Sequence, residues 1–457
     1  MWKSFSLQRI FVFLGTIPDT RKQLDELLDR INRLNFIHIS EATQSKAFIL
    51  FETLNYRGVP LSAIDIIKNK MLSIMELKHS KNIDESFDKW QKLLQNLPTH
   101  EEQDRFLRQF YNAFKHNEHV KVERVPKATS STLIKIYETL IKRDAERIFA
   151  EFIDKSKVYN QLIEPEKYDV APLMLALVDL ERIGAASSYT FLLYLFSNKT
   201  DLQNEEVLLK TVQLFCKYYL RRNITDTPNT RDLDAINAEL IDRCEQYKKG
   251  NGGKIGYEII EQTLLKGRGK PSDVNSFKEY LSDNLFYYNE GMARYVLAKL
   301  DETAHSREYN PDLWSRNEKG LYVWTVEHVF PQGENIPTDW VEMIAHGDKK
   351  KAQEIQEELV HSLGNLTLNG YNSKLSNYSF GKKQYRFEAN ILGHKIKIGY
   401  QNGMALNNID FDVLGMKYSL ATAPKWGEEM IRARNEIMVN VVLRLFAFEG
   451  EVIEEIR

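Results

Sequence analysis

A mainly α-helical fold is expected, with a helical body followed by a small C-terminal α+β module, and three observations predict it. Apolar residues recur at three- and four-residue spacing over most of residues 21 to 245, six of the 22 glycines fall between 250 and 272, and from Tyr322 short aromatic and β-branched runs take over. At 457 residues the chain has room for about three domains. The boundaries read as 1–80, 81–300 and 301–457. Hydrophobic residues at 43 % and charged residues at 28 % are those of an average globular protein, which disfavours collagen-like, disordered and membrane-embedded classes. With 62 basic and 64 acidic residues the net charge is −2, so nothing global announces a polyanionic partner.

Cysteine usage bounds the compartment. Cys216 and Cys244 are too few for a disulfide framework or a four-cysteine zinc site. The longest early apolar run, Ile10 to Leu14, is far shorter than a spanning helix, and no small-residue cleavage site follows it. A cytoplasmic protein without structural zinc is the expectation.

In chain order, Leu24, Leu27, Leu28, Ile31 and Leu34 mark one helix face, and Phe36 to Ile39 reads as an edge strand or a loop. Leu133, Ile134, Ile136, Tyr137, Leu140 and Ile141 continue into Ile148, Phe149, Phe152 and Ile153 on one helical face. Leu173 to Leu180 and Phe191 to Phe196 are apolar nearly all round, which predicts helices central to a bundle. The glycine-rich stretch from Gly250 lacks the GxxxxGK[ST] spacing and a preceding strand, so it reads as a loop and not as a phosphate cradle. Tyr322 to Val326 is a strand candidate ending in Glu327-His328, Leu363 to Leu368 is a second, and Asn372 opens a basic helical segment.

Glu-His-Val occurs twice, and context separates the two copies. Glu118-His119-Val120 lies in a polar, turn-like region, where His119 reads as a solvated histidine; Glu327-His328-Val329 ends a strand candidate and is followed by Asn365 and Asn372. A neutral histidine at a rigid strand end can take a proton from water while a neighbouring carboxylate holds a hard cation. Mg²⁺ needs few protein oxygens, so Glu327 and Asn372 suit a metal, with Asn365 better placed to brace the turn between strand and helix. A buried, salt-bridged Glu-His pair with two turn asparagines is the plainer alternative.

These blocks, Tyr322-Val-Trp-Thr-Val-Glu-His-Val-Phe-Pro-Gln, His361-Ser-Leu-Gly-Asn-Leu-Thr-Leu, Asn372-Ser-Lys-Leu-Ser-Asn and Ser379-Phe-Gly-Lys-Lys, resemble the HNH, or ββα-metal, nuclease domain at the C-terminus of GmrSD-type restriction endonucleases. The resemblance implies a metal-dependent DNA endonuclease of a restriction or phage-defence system. His328 and Asn365 would be its catalytic positions, the first as general base and the second as the central structural asparagine. Glu327 and Asn372 would hold Mg²⁺ or Mn²⁺, and double-stranded DNA, including modified phage DNA, would be the substrate. Trp426 and the helix after it resemble the closing helix of that region, with Trp426 a packing anchor. Residues 361 to 400 carry six basic residues against one acid, a net of +5. Lys374, Lys382, Lys383 and Arg386 are therefore the candidate phosphate contacts.

Upstream, Phe51-Glu-Thr-Leu-Asn-Tyr-Arg-Gly-Val-Pro-Leu resembles the segment closing the N-terminal ParB-like domain of the same proteins, where a DGQQR motif accompanies nucleotide handling. No DGQQR occurs here. Asn55 and Arg57 are the weak nucleotide-site candidates, and Ser62 is placed to cap the following helix. The resemblance implies a missing front half, which leaves three expectations: a split enzyme with an upstream-encoded partner, a decayed restriction gene, or a standalone nuclease. A catalytically silent DNA-binding or assembly subunit is the rival function.

Overall fold

The computed structural model describes residues 20–34, 62–79, 83–167, 171–389, 393 and 395–453. The chain divides into two compact units, residues 1–82 and 83–457. In the first, α1 spans Thr20–Asn32 and α2 spans Ala63–His79. Ser62 caps α2 as expected, its Oγ accepting the Asp65 amide proton at 3.3 Å. Ile64, Ile67, Met71 and Leu72 are buried, whereas Leu27, Leu28, Ile31 and Leu34 are exposed. The candidate strand Phe36 to Ile39, together with Asn55 and Arg57, lies outside the described residues.

The second unit opens as a helical body: α3 (Ile83–Gln95), α4 (His100–Phe114), α5 (Leu133–Ile163), α6 (Ala171–Arg182), α7 (Tyr189–Ser197), α8 (Glu206–Thr225), α9 (Leu233–Gly250), α10 (Tyr257–Lys266), α11 (Val274–Ser282), α12 (Leu285–Tyr288) and α13 (Glu290–Glu302). Thr99 and Glu102 form a reciprocal capping box that starts α4. Asp144 breaks α5 with φ −157° and ψ 84°, and its carboxylate restarts the helix by accepting the Arg147 amide proton at 3.1 Å. The predicted α5 face then meets α4 in an aromatic cluster of Phe106, Phe110, Tyr137, Phe152 and Tyr159.

Two expectations divide here. Every residue of α7 from Tyr189 to Phe196 is buried, as the all-round apolar run predicts. Helix α6 is buried only over Ala176, Leu177, Val178 and Leu180, with Leu175 60 % exposed, so it lies at the margin of the bundle. His119 is likewise not simply solvated: its Nε2 lies 2.7 Å from the Glu151 carboxylate on α5. Both cysteines are buried and unpaired. No helix among the described residues is long and apolar enough to cross a membrane.

The α+β module follows. Strand β1 (Thr325–His328) pairs antiparallel with β2 (Leu366–Asn369), Glu327 opposite Thr367 and His328 opposite Leu366. Between them run α14 (Thr338–Ala345) and α15 (Lys349–Leu359), and after β2 come α16 (Asn372–Leu375) and α17 (Phe380–Gln384). Two small antiparallel pairs, β3 (Arg386–Ala389) with β4 (Lys395–Ile398) and β5 (Phe411–Val413) with β6 (Met416–Tyr418), precede the closing helix α18 (Glu428–Leu445). Val329, Phe330, Trp340, Phe380, Tyr400, Trp426 and Ile431 form the module's apolar core. The fold is mainly α with a small C-terminal α+β module.

Helix α18 holds the turn into β2 by close approach. Gly364 lies where a Cβ would fall onto the Ile431 carbonyl oxygen and 2.7 Å from Asn435 Cβ, and its amide donates to Asn435 Oδ1 at 2.9 Å. The fully buried Arg434 guanidinium donates to the carbonyls of Gly364 at 2.7 Å and Leu366 at 2.8 Å; burial pulls its pKa down to about 9. Gly364→Ala is therefore expected to destabilise the unit by about 1–3 kcal/mol through overpacking. Thermal unfolding of the variant beside wild type checks this.

Candidate active site

Successive side chains of a strand point to opposite faces, and β1 separates Glu327 from His328 in this way. On one face, the Lys383 ammonium donates to Glu327 Oε1 at 2.7 Å and to the carbonyls of His328 at 2.9 Å and Val329 at 3.2 Å. The Tyr400 hydroxyl donates to the same carboxylate oxygen at 3.3 Å. Glu327 is 4 % exposed and Lys383 1 %. Burial pushes the Glu327 carboxyl up and the Lys383 ammonium down, and each opposes the other's shift through their attraction. Lys383, expected among the phosphate contacts, is instead a core cation tying α17 to the end of β1. The reason is its place on the inward face of a five-residue helix, which no charge count reveals.

On the opposite face, His328 Nε2 lies 3.1 Å from His361 Nδ1. His328 is 6 % exposed. Burial, reinforced by His361 and Lys383, lowers its pKa from 6.5 to about 3, and burial lowers that of His361 as well. Phe286 of α12 covers the pair, edge-on to His328 at 4.8 Å and stacked on His361 at 5.6 Å, while its amide donates to the His361 carbonyl at 3.2 Å. His361 opens the block His361-Ser-Leu-Gly-Asn-Leu-Thr-Leu, but its spacing from His328 gives it no role in sequence; its pairing with a residue 33 positions earlier arises only on folding.

Asn365 is a brace. Its Nδ2 donates to the carbonyls of Phe330 at 3.0 Å and Val360 at 2.9 Å. Its Oδ1 accepts the Phe330 amide at 2.8 Å and the Trp426 indole at 3.2 Å. Every polar atom of the fully buried side chain is engaged, so Asn365 positions the chain leaving β1 and has no group left for chemistry. Trp426 is the packing anchor expected, with a hydrogen bond to the brace added. Asn372, the first residue of α16, turns inward and donates from Nδ2 to the Val326 carbonyl at 2.7 Å.

The expected metal donors do not converge in this arrangement. Glu327 faces away from His328 and is engaged by Lys383 and Tyr400, and Asn372 offers only its amide oxygen. Among the described residues no group of three or more His, Cys, Asp or Glu side chains could hold a metal ion. Of the basic candidates, Lys374 and Lys382 are exposed, Lys382 lying 5.8 Å from the Tyr378 ring centre, and the Arg386 side chain is outside the description. A concavity of about 840 Å³ lined by residues of α6, α8, α10 and α13, including Asp179, Lys210 and Lys299, includes no residue of β1 or β2.

No curated protein matches this chain. Residues 272–441 match the family model described as GmrSD restriction endonucleases, C-terminal domain. The match runs from just before α11 into α18 and takes in His328, His361, Asn365, Asn372 and the covering helix α12. Over these residues the chain is similar to the C-terminal domain of GmrSD restriction endonucleases.

Proposed function

We propose that the C-terminal region hydrolyses phosphodiester bonds of double-stranded DNA, as the nuclease of a restriction system directed against phage DNA with modified bases and acting in the cytoplasm. The observation that carries this reading is the covered His328–His361 pair at the end of β1 within a matched restriction-endonuclease domain. One ring must donate in that contact. With His361 Nδ1 as acceptor, His328 keeps its Nε2 proton and its Nδ1 lone pair is the one that can accept a proton from the attacking water. A base oriented by a second group is the recurring arrangement in such chemistry. The depressed pKa keeps His328 neutral throughout the physiological range. Lys374 and Lys382 supply phosphate contacts from the segment after β2.

Antiparallel β1 and β2 followed by α16 support an HNH-type ββα unit. The resemblance implies Mg²⁺ or Mn²⁺, which would supply Lewis-acid stabilisation of the leaving oxygen. The donors above do not assemble around such an ion. The near-complete burial of His328 favours a second reading, a silent DNA-binding subunit. The two separate when plasmid and modified phage DNA are incubated with the full chain, with Mg²⁺, Mn²⁺ or chelator, beside His328→Ala. Nicking that disappears in the variant supports the nuclease; no nicking under any condition supports the silent subunit.

If His361 acts by orienting His328, His361→Ala is expected to lower kcat about 10- to 100-fold with little change in KM. His361→Asn, which retains an acceptor, is expected to restore part of it. The pH–rate profile separates the orienting role from a merely structural one: the acid limb should move toward the ordinary histidine range only in the alanine variant.

A further inference from the structure

Tyr287 and Tyr288 are 73 % and 67 % exposed, more than any other aromatic side chain among the described residues. They sit on α12, the same four-residue helix whose Phe286 covers the histidine pair. The Tyr287 ring centre lies 5.8 Å from that of His361, which is 5.1 Å from that of His328. Tyr288 stands edge-on to Tyr287 at 5.4 Å and 83°.

The helix that presents them is firmly held. Leu285 is buried, Asn284 Nδ2 donates to the Glu357 carbonyl at 3.3 Å, Asn289 Nδ2 donates to the Asn223 carbonyl at 3.1 Å, and Phe286 is tied to His361. Two large aromatic faces are thus kept in water on a fixed support, within two ring contacts of the proposed base. Two acidic residues, Asp283 four positions before Tyr287 and Glu290 two positions after Tyr288, flank α12 and are exposed. That charge repels phosphate and leaves the uncharged face of a base as the part of a nucleic acid that suits the tyrosines.

We propose that Tyr287 and Tyr288 form a stacking platform for a nucleobase of the DNA substrate, one displaced from the duplex within a nucleotide or two of the cleaved phosphate. The platform holds the strand by its base while Lys374 and Lys382 hold phosphates. Stacking on an aromatic side chain contributes about 1–3 kcal/mol per base, so preference for a base over an abasic site should be about 5- to 150-fold. The proposal deepens the nuclease reading and rests on it.

The test uses the full chain and two single-stranded 12-mers of equal charge, one with bases and one abasic, read by fluorescence anisotropy. Wild type should prefer the base-containing strand, the Tyr287→Ala/Tyr288→Ala double variant should lose that preference, and the double phenylalanine variant should keep it. Both side chains are exposed, so the variants should melt with wild type. Equal binding of the two strands by wild type, or a preference that survives in the alanine variant, overturns the platform. If sedimentation shows a wild-type dimer that the alanine variant abolishes while base preference is unchanged, the tyrosines are a self-association surface and the proposal also falls. The nicking assay with His328→Ala reads the nuclease independently. A base preference lost with the tyrosines where no DNA is nicked keeps the platform and removes the nuclease, and His328-dependent nicking with no tyrosine effect does the reverse.

Discussion

Lys383→Met is expected to destabilise the 83–457 unit by about 3–5 kcal/mol, because it leaves the Glu327 carboxylate buried without its cation. The loss extends beyond the ion pair, since the same ammonium also serves the carbonyls of His328 and Val329. Its pH dependence is distinctive. Burial alone raises the Glu327 pKa, and without Lys383 nothing but Tyr400 opposes that shift. The folded variant then holds a proton that the unfolded chain releases near its ordinary value. The deficit relative to wild type should therefore be smallest at low pH and grow as pH rises through the window between the unfolded and the raised folded pKa of Glu327. Denaturant unfolding at pH 5 and pH 8 checks this, with a larger deficit expected at pH 8. Adding Glu327→Leu should recover a substantial part of the loss.

His328→Ala is expected to lower DNA cleavage by about 10²- to 10⁴-fold, the usual contribution of a positioned general base. Because the His328 pKa is lowered to about 3, kcat/KM of the wild type should be flat from pH 8 down through 6.5, where an ordinary histidine base would already lose activity. The stability of the wild type carries the opposite face of that shift. Between the unfolded value of 6.5 and about 3 the unfolded chain binds a proton that the folded one refuses. Stability is thus lost as pH falls through this window, by about 1.4 kcal/mol for each unit, and His361 adds in the same direction. An alanine at 328 removes its share, so acid unfolding of the variant should begin at lower pH.

Much of this arrangement is legible along the chain. The three- and four-residue spacing locates the helices, Ser62 marks the start of α2, and the order of strand, insertion, strand and helix from Tyr322 holds in β1, α14, α15, β2 and α16. Asn365 reads as a brace from its place between strand and helix, and the hydrogen bonds to Phe330, Val360 and Trp426 are what bracing requires.

The partners across the fold are not legible. Adjacency of Glu327 and His328 in a motif invites a joint role, but the two-residue period of a strand places them on opposite faces. Which charged group each then meets depends on segments 33 and 56 residues away. Lys383 and Lys382 look alike in a basic run, yet one turn of α17 directs one inward and the other to solvent. Nothing in the spacing of the closing helix marks Arg434, three residues from both Ile431 and Ile437, as the buried donor that holds the Gly364 turn. Tyr287 and Tyr288 are ordinary in sequence and conspicuous only for what fails to cover them.

On the proposed function His328 carries the chemistry, while Glu327 is a structural partner of Lys383 and holds no reacting group. Glu327→Gln tests this most directly, because it removes the carboxylate charge and keeps an acceptor for Lys383 and Tyr400. Initial nicking rates of wild type, Glu327→Gln and His328→Ala are measured on one DNA, well below the melting temperature of each. The expected result is a glutamine variant within about tenfold of wild type beside an alanine variant down by at least about 10². A folded Glu327→Gln protein that no longer cuts, or a His328→Ala protein that still does, would contradict it.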